Sequence, residues 1–173
     1  AAEMTKYACK GSDILQIVHL VDTDGAFIPD NLVKARKEKG VQYFEDHIET
    51  GEVKYIQERN QKKSSVVASL CSTGKMKSSI PYSIYYFSRN MEHVLHNVAT
   101  ELTDDQKVEL ADAFADRYEE NPMDFVAFIE SEEVAVPGGY TQTWTFIRER
   151  TNSLNRHSNL RILFEQENLK STD

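Results

Sequence analysis

The sequence predicts an α/β domain with a mostly parallel sheet, flanking helices and a helical C-terminal half. Three observations lead there. Residues 14–21, Ile-Leu-Gln-Ile-Val-His-Leu-Val, form a short, nearly continuous apolar run rich in β-branched side chains, the pattern of a strand buried on both faces. Residues 82–87, Tyr-Ser-Ile-Tyr-Tyr-Phe, form a second strong strand pattern. Helical patterns separate the strand candidates up to about residue 100 and dominate after it. Such alternation implies a parallel sheet with right-handed crossovers. At 173 residues, one domain spanning 1–173 has enough chain to bury a real core.

Taken in order, the strand of residues 14–21 ends in Asp22-Thr23-Asp24-Gly25, which is turn chemistry. Pro29 and Asp30 open a short helix to about Lys39. Glu52–Gln57 is a second strand candidate, Gln61–Cys71 a helix, and Gly74–Pro81 a polar, basic loop. After the strand at 82–87, Asn90 caps a helix from Met91 to about Ala99, with Met91, Val94, Leu95 and Val98 as its apolar stripe. Thr103 and Gln106 form a capping box for a helix to about Tyr118. Asn121-Pro122 starts another through about Ser131. Gly138-Gly139 breaks the chain before a helix at about Thr141–Leu154, and Leu160–Phe164 reads as a final strand.

Composition narrows the function classes. Hydrophobic residues make up 40% of the chain, ordinary for a globular protein. No apolar run approaches the ~20 residues that cross a bilayer, so no membrane partner is expected. A signal-peptide pattern is also absent. Cys9 and Cys71 match no metal spacing and read as idle thiols of a reducing, cytoplasmic compartment. The net charge of −8 argues against a general nucleic-acid coat protein. That charge is uneven. Residues 101–133 hold twelve acids against Lys107 and Arg117, whereas Arg59–Lys77 holds five basic residues and no acid. The basic stretch suits a polyanion, although a solvated helix and loop explains it too.

In parallel sheets, ligands bind beyond the carboxyl ends of the strands, where the turns at Asp22 and at Ser88 both lie. Asp22 and Asp24 flank one residue and offer two hard oxygen donors, suited to Mg²⁺ with water and phosphate oxygens completing its shell. An Asx-type turn in which either aspartate caps backbone N–H groups is the bland alternative. In Ser88-Arg89-Asn90-Met91-Glu92-His93, Glu92 is a candidate metal ligand or base, and it shares a helix face with His96. His93 is a candidate acid or base near neutral pH, and Arg89 a phosphate clamp. Arg59, Lys62, Lys63 and Arg156 are further candidate phosphate contacts. His157, beside Arg156, could also reach a phosphate, and a helix C-terminus with cationic side chains explains the pair equally well. Trp144, Phe146 and Ile147 read as core.

The buried strand ending in Asp-x-Asp resembles the second motif of the Toprim fold, shared by topoisomerases, primases and OLD-type nucleases. Ser88–His93 opening a helix after a strand is similar to Toprim-like proteins of bacterial defence systems. This resemblance covers a core of about residues 12–100 and leaves a helical extension of about 101–173. It implies aspartates that bind Mg²⁺ for phosphodiester chemistry on DNA or RNA. The family also carries a Glu at the end of an earlier strand, and Glu3 has no such context. The resemblance therefore implies a catalytic Glu on an N-terminal segment outside this sequence, or a protein partner. Leu20-Val21-Asp22-Thr23-Asp24-Gly25 is also similar to the first motif of haloacid-dehalogenase-like phosphatases. That rival implies Asp22 as nucleophile, Asp24 as general acid, Ser88 as the second motif, and Lys62, Lys63 or another lysine as the third. Its last acidic motif has no counterpart here. Three expectations follow: a Mg²⁺-dependent nuclease, a phosphatase, or a non-catalytic interaction or regulatory domain.

Overall fold

The computed structural model describes residues 10–77, 79–100 and 102–170, without the side chains of 166–170. Cys9, Glu3 and Glu101 lie outside the described residues. The elements run β1 (Ile17–Asp22), β2 (Val33–Ala35), β3 (Val41–Tyr43), β4 (Ile48–Thr50), α1 (Val53–Cys71), β5 (Lys75–Met76), β6 (Ile80–Phe87), α2 (Met91–His96), α3 (Asp104–Glu119), α4 (Pro122–Glu130), α5 (Tyr140–Ile147) and α6 (Arg161–Lys170).

The expected mostly parallel sheet is not what forms. The protein is mixed α/β, with two small three-stranded sheets of mixed direction, ordered β1-β6-β5 and β2-β4-β3. β1 and β6 pair in parallel, with Asp22 opposite Phe87, and β5 joins β6 antiparallel. In the other sheet β2 is parallel and β3 antiparallel to β4. Among the described residues β1 is an edge strand whose one neighbour is β6.

Each departure has a physical reason. Glu52–Gln57 is not a strand, because its apolar residues belong to a longer helical period. Val53, Ile56, Asn60 and Val67 pack inward along α1 while Tyr55 is exposed. The segment from Asp30 to Lys39 has no apolar stripe to bury. It makes one 3₁₀ turn at Asp30–Leu32, and Val33 then pairs with Ile48. Leu160–Phe164 enters a helix rather than a strand, since Leu160, Leu163 and Phe164 sit at i, i+3, i+4 against one core. The loop at Gly74–Pro81 contains β5. The helix expected at 141–154 ends at Ile147, and a 3₁₀ turn at Asn152–Leu154 follows.

Alternation along β6 divides the core. Tyr82, Ile84 and Tyr86 face Val67 of α1 and Trp144 and Ile147 of α5. Tyr85 and Phe87 face Val94, Ile129, Val134, Leu160 and Ile162. β6 is thus covered on both faces, whereas β1 is only partly buried and its Leu20 is exposed. A third cluster of Ile28, Val33, Ile48, Ile56 and Leu154 fastens the small sheet to α1 and to the segment after α5. Among the described residues no helix is long and apolar enough to cross a membrane.

Candidate functional site

Two turns leave the parallel strands side by side and are locked together by hydrogen bonds. The Thr23 N–H donates to the Phe87 carbonyl at 3.0 Å, and the Asp24 N–H to the Arg89 carbonyl at 2.7 Å. The Arg89 N–H donates in turn to the Thr23 hydroxyl oxygen at 2.9 Å and to the Ser153 carbonyl at 3.0 Å. Thr23 is fully buried, with its side chain inside this lattice. Its neighbours Asp22 and Asp24 stay partly exposed. Gly25 has φ +65°, and a Cβ there would lie 2.5 Å from Leu154 Cδ2. Only glycine fits that combination of backbone and contact. Asp24 and Arg89 also take left-handed conformations, with φ of 49° and 58°, a strain that persists only where the surroundings enforce it.

The carboxylates are crowded. Burial raises the Asp22 pKa to about 6, and the nearby charges of Asp24 and Glu92 push the same way. Lys63 and a hydrogen bond from the Met91 backbone N–H act against them. Lys63 Nζ donates to Asp24 Oδ2. Arg59, one helical turn earlier on α1, donates from Nη2 to the Asp24 carbonyl at 2.9 Å and from Nη1 to the Tyr43 hydroxyl at 3.1 Å. The Arg89 guanidinium carbon lies 4.9 Å from the centroid of the Tyr43 ring. Tyr43 therefore ties the small sheet to the site. No sequence signal marks it, because a strand of three residues is too short for a period to show.

The structure brings some of the expected site residues together and not others. Asp22, Asp24, Glu92, Lys63 and Arg89 gather at one place. His93 is expected as an acid or base near neutral pH, but it is 8% exposed. Burial, reinforced by the positive charges of Arg89 and Arg156, drops its pKa to about 4. It is a neutral ring on the buried side of α2 at physiological pH. Arg59 is spent on the turn itself. Arg156 is spent on the Val94 carbonyl at 2.8 Å and on Glu133 at 3.0 Å. Lys62 is exposed on α1. Ser88 ends β6 as the phosphatase resemblance implies, but it is fully buried. Its hydroxyl donates to the Asn155 carbonyl and accepts from the His157 N–H at 2.6 Å. The basic stretch also divides. Lys75 lies in β5, opposite Pro81, about 20 Å along the sheet from the Asp22 end at ~3.3 Å per residue.

Mg²⁺ accepts two protein carboxylates completed by water and phosphate oxygens. Asp22 and Asp24, with Glu92 near, offer an excess of negative charge for such an ion. Among the described residues no three His, Cys, Asp or Glu side chains stand ready to hold one. The ammonium of Lys63 lies on the Asp24 oxygen that would turn to a metal. The residues fit a two-carboxylate site once Lys63 moves aside. Comparison with protein-family models, curated proteins and solved structures finds no match to the chain.

Proposed function

We propose that this chain carries out Mg²⁺-dependent phosphodiester chemistry on nucleic acid, in the manner of Toprim-like nucleases, including those of bacterial defence. The observation that carries the reading is the crowding of Asp22, Asp24 and Glu92 at the carboxyl end of a parallel strand, with the Asp22 pKa raised to about 6. Burial first, and then the charges of Asp24 and Glu92, hold Asp22 above its ordinary pKa, a state that a bound divalent ion relieves and that clusters at functional sites. When bound, the metal supplies charge neutralisation at the phosphate and activates water. The chain's own groups do the rest. Asp22 and Asp24 orient the ion, Lys63 neutralises Asp24 in its absence and becomes free for a phosphate oxygen when displaced, and Glu92 accepts a proton or adds a ligand. The open edge of β1 supports the same reading against the phosphatase one, which expects the acid-bearing strand to have a neighbour on each side. The locked Ser88 hydroxyl also weighs against a phosphatase.

Incubation of the full chain with a labelled oligonucleotide and Mg²⁺ tests the proposal. Strand cleavage that is lost in both Asp22→Asn and Asp24→Asn is expected. Undiminished cleavage in both variants overturns it. The Lys63–Asp24 ion pair favours a second reading, a non-catalytic domain whose acidic α3 docks a basic partner. Failure of the folded chain to take up Mg²⁺ at millimolar concentration selects that reading.

A further inference from the structure

Beside the acid cluster opens a cleft of about 740 Å³. The turn between β2 and β3 and strand β3 form one wall, and the start of α2, Ala99, Thr100, Leu102 and the first turn of α3 form the other. Among the described residues, Arg36, Lys39, Arg89 and Lys107 line it against one carboxylate, that of Glu92. Lys39 and Lys107 are exposed and make no ion pair among the described residues. Arg36 is held by Glu38 at 3.3 Å and by Gln42 at 2.8 Å, contacts that leave it at the rim of the cleft.

Arg89 is the unusual member. It is 5% exposed, its Nε has no hydrogen-bond partner, and no carboxylate pairs with it among the described residues. One Nη donates to the Ala99 carbonyl, and its guanidinium lies over Tyr43. A ring face and a single carbonyl compensate a buried cation far less than an anion does. A buried guanidinium that no carboxylate of the described residues pairs, at the wall of a cation-lined cleft, suits an anionic ligand. Val41, Ala99 and Leu102 give the same cleft an apolar side, and its size suits one small organic ligand.

We propose that this cleft binds a phosphomonoester of nucleotide size, its phosphate at Arg89 and the Arg36–Lys39–Lys107 rim, its uncharged part on Val41 and Leu102. The planar guanidinium and the flanking ammonium groups match phosphate oxygens in geometry and charge. The ligand is either a free nucleotide or the terminal phosphate of a nucleic-acid strand. The phosphate contacts are cations rather than the Asp22 and Asp24 carboxylates, so binding is separable from metal-dependent cleavage even though the Arg89 backbone is hydrogen-bonded to the same turn.

Calorimetric titration of the full chain in EDTA, with pyrophosphate, AMP, and one oligonucleotide with and without a 5′-phosphate, tests it. AMP and pyrophosphate are expected to bind and to compete. The surface variant Lys39→Glu/Lys107→Glu, folded as judged by circular dichroism, is expected to lose at least about tenfold in affinity. Arg89→Met is expected to lose binding altogether, and the surface pair keeps the test decisive should that buried substitution unfold the chain. Asp22→Asn retains binding while losing cleavage, which separates this site from the nuclease reading. AMP as tight as the 5′-phosphorylated strand assigns the site to free nucleotides, and a strand about tenfold tighter that needs its phosphate assigns it to strand ends. No binding of AMP, pyrophosphate or either strand by the wild-type chain, or equal binding by the Lys39→Glu/Lys107→Glu variant, overturns the proposal.

Discussion

Replacing Asp22 with Asn stabilises the metal-free protein at neutral pH, and the size of the gain follows from the crowded turn. The Asp22 pKa rises from the ordinary 3.8 to about 6, chiefly through burial and then through the charges of Asp24 and Glu92. The folded state therefore holds a proton more tightly than the unfolded one. Stability falls as pH rises through the interval from 3.8 to about 6, because ionisation then opposes folding. At about 1.36 kcal/mol per pH unit the full penalty above that interval is about 3 kcal/mol. Solvent around the partly exposed carboxylate screens it to about 1–2 kcal/mol. Asn keeps the shape and still accepts the Met91 N–H, so the variant recovers that amount. Urea unfolding of both proteins, with EDTA, at about pH 7.5 and about pH 4 measures it. The expected result is a gain of about 1–2 kcal/mol at the higher pH that nearly vanishes at the lower. Saturating Mg²⁺ reverses the order, since the wild type alone gains binding energy, about 2.7 kcal/mol at a hundredfold excess over Kd. A pH-independent gain, or a loss at neutral pH, refutes the claim that Asp22 is held charged against its surroundings.

Other outcomes follow from the same geometry. Lys63→Gln removes the cation that lowers the Asp22 pKa, so the midpoint of Asp22 titration, followed by carbon-detected NMR, moves upward, while stability changes by no more than about 1 kcal/mol for this partly exposed pair. Gly25→Ala meets Leu154 and a φ of +65° together; it costs about 2–4 kcal/mol. Gly25→Ala/Leu154→Ala does not recover wild-type stability, because the backbone strain remains, and thermal melts check both variants. Thr23→Val leaves the hydroxyl's partners without it and costs about 1–3 kcal/mol, whereas Thr23→Ser retains most of the stability; denaturant midpoints separate the two.

Local chemistry made part of this legible in the sequence. The Asn90 cap forms, with its side chain accepting from the His93 N–H at 2.9 Å. The Thr103–Gln106 box closes in both directions. These interactions span three residues, so the chain can announce them. The small sheet is different. Three-residue strands are too short for any period to show, and they exist because Val33 and Tyr43 both meet Ile48 over Leu154. Its tertiary contacts turned a segment rich in helix-forming lysines and arginines into a strand and a turn. The cleft was illegible for the same reason, since Lys39, Arg89 and Lys107 come from three separate parts of the chain that meet only in the folded structure.

The turn was legible as chemistry but not as electrostatics. Asp-Thr-Asp-Gly after an apolar run marks two carboxylates leaving a strand, and the structure keeps them at a strand end. What spacing could not reveal is where the lattice puts its rigidity. The middle residue, Thr23, is the one held fast, by Arg89 and Ser153 from distant parts of the chain. With Thr23 buried, both flanking aspartates stay partly exposed, and the charges of Asp24 and Glu92 act on Asp22. Lys63 relieves one of the three charges through a bond that a competing cation can replace. A fixed frame, crowded acids and one displaceable ammonium together make a site whose charge is balanced only conditionally, and that condition is the physical content of the metal proposal.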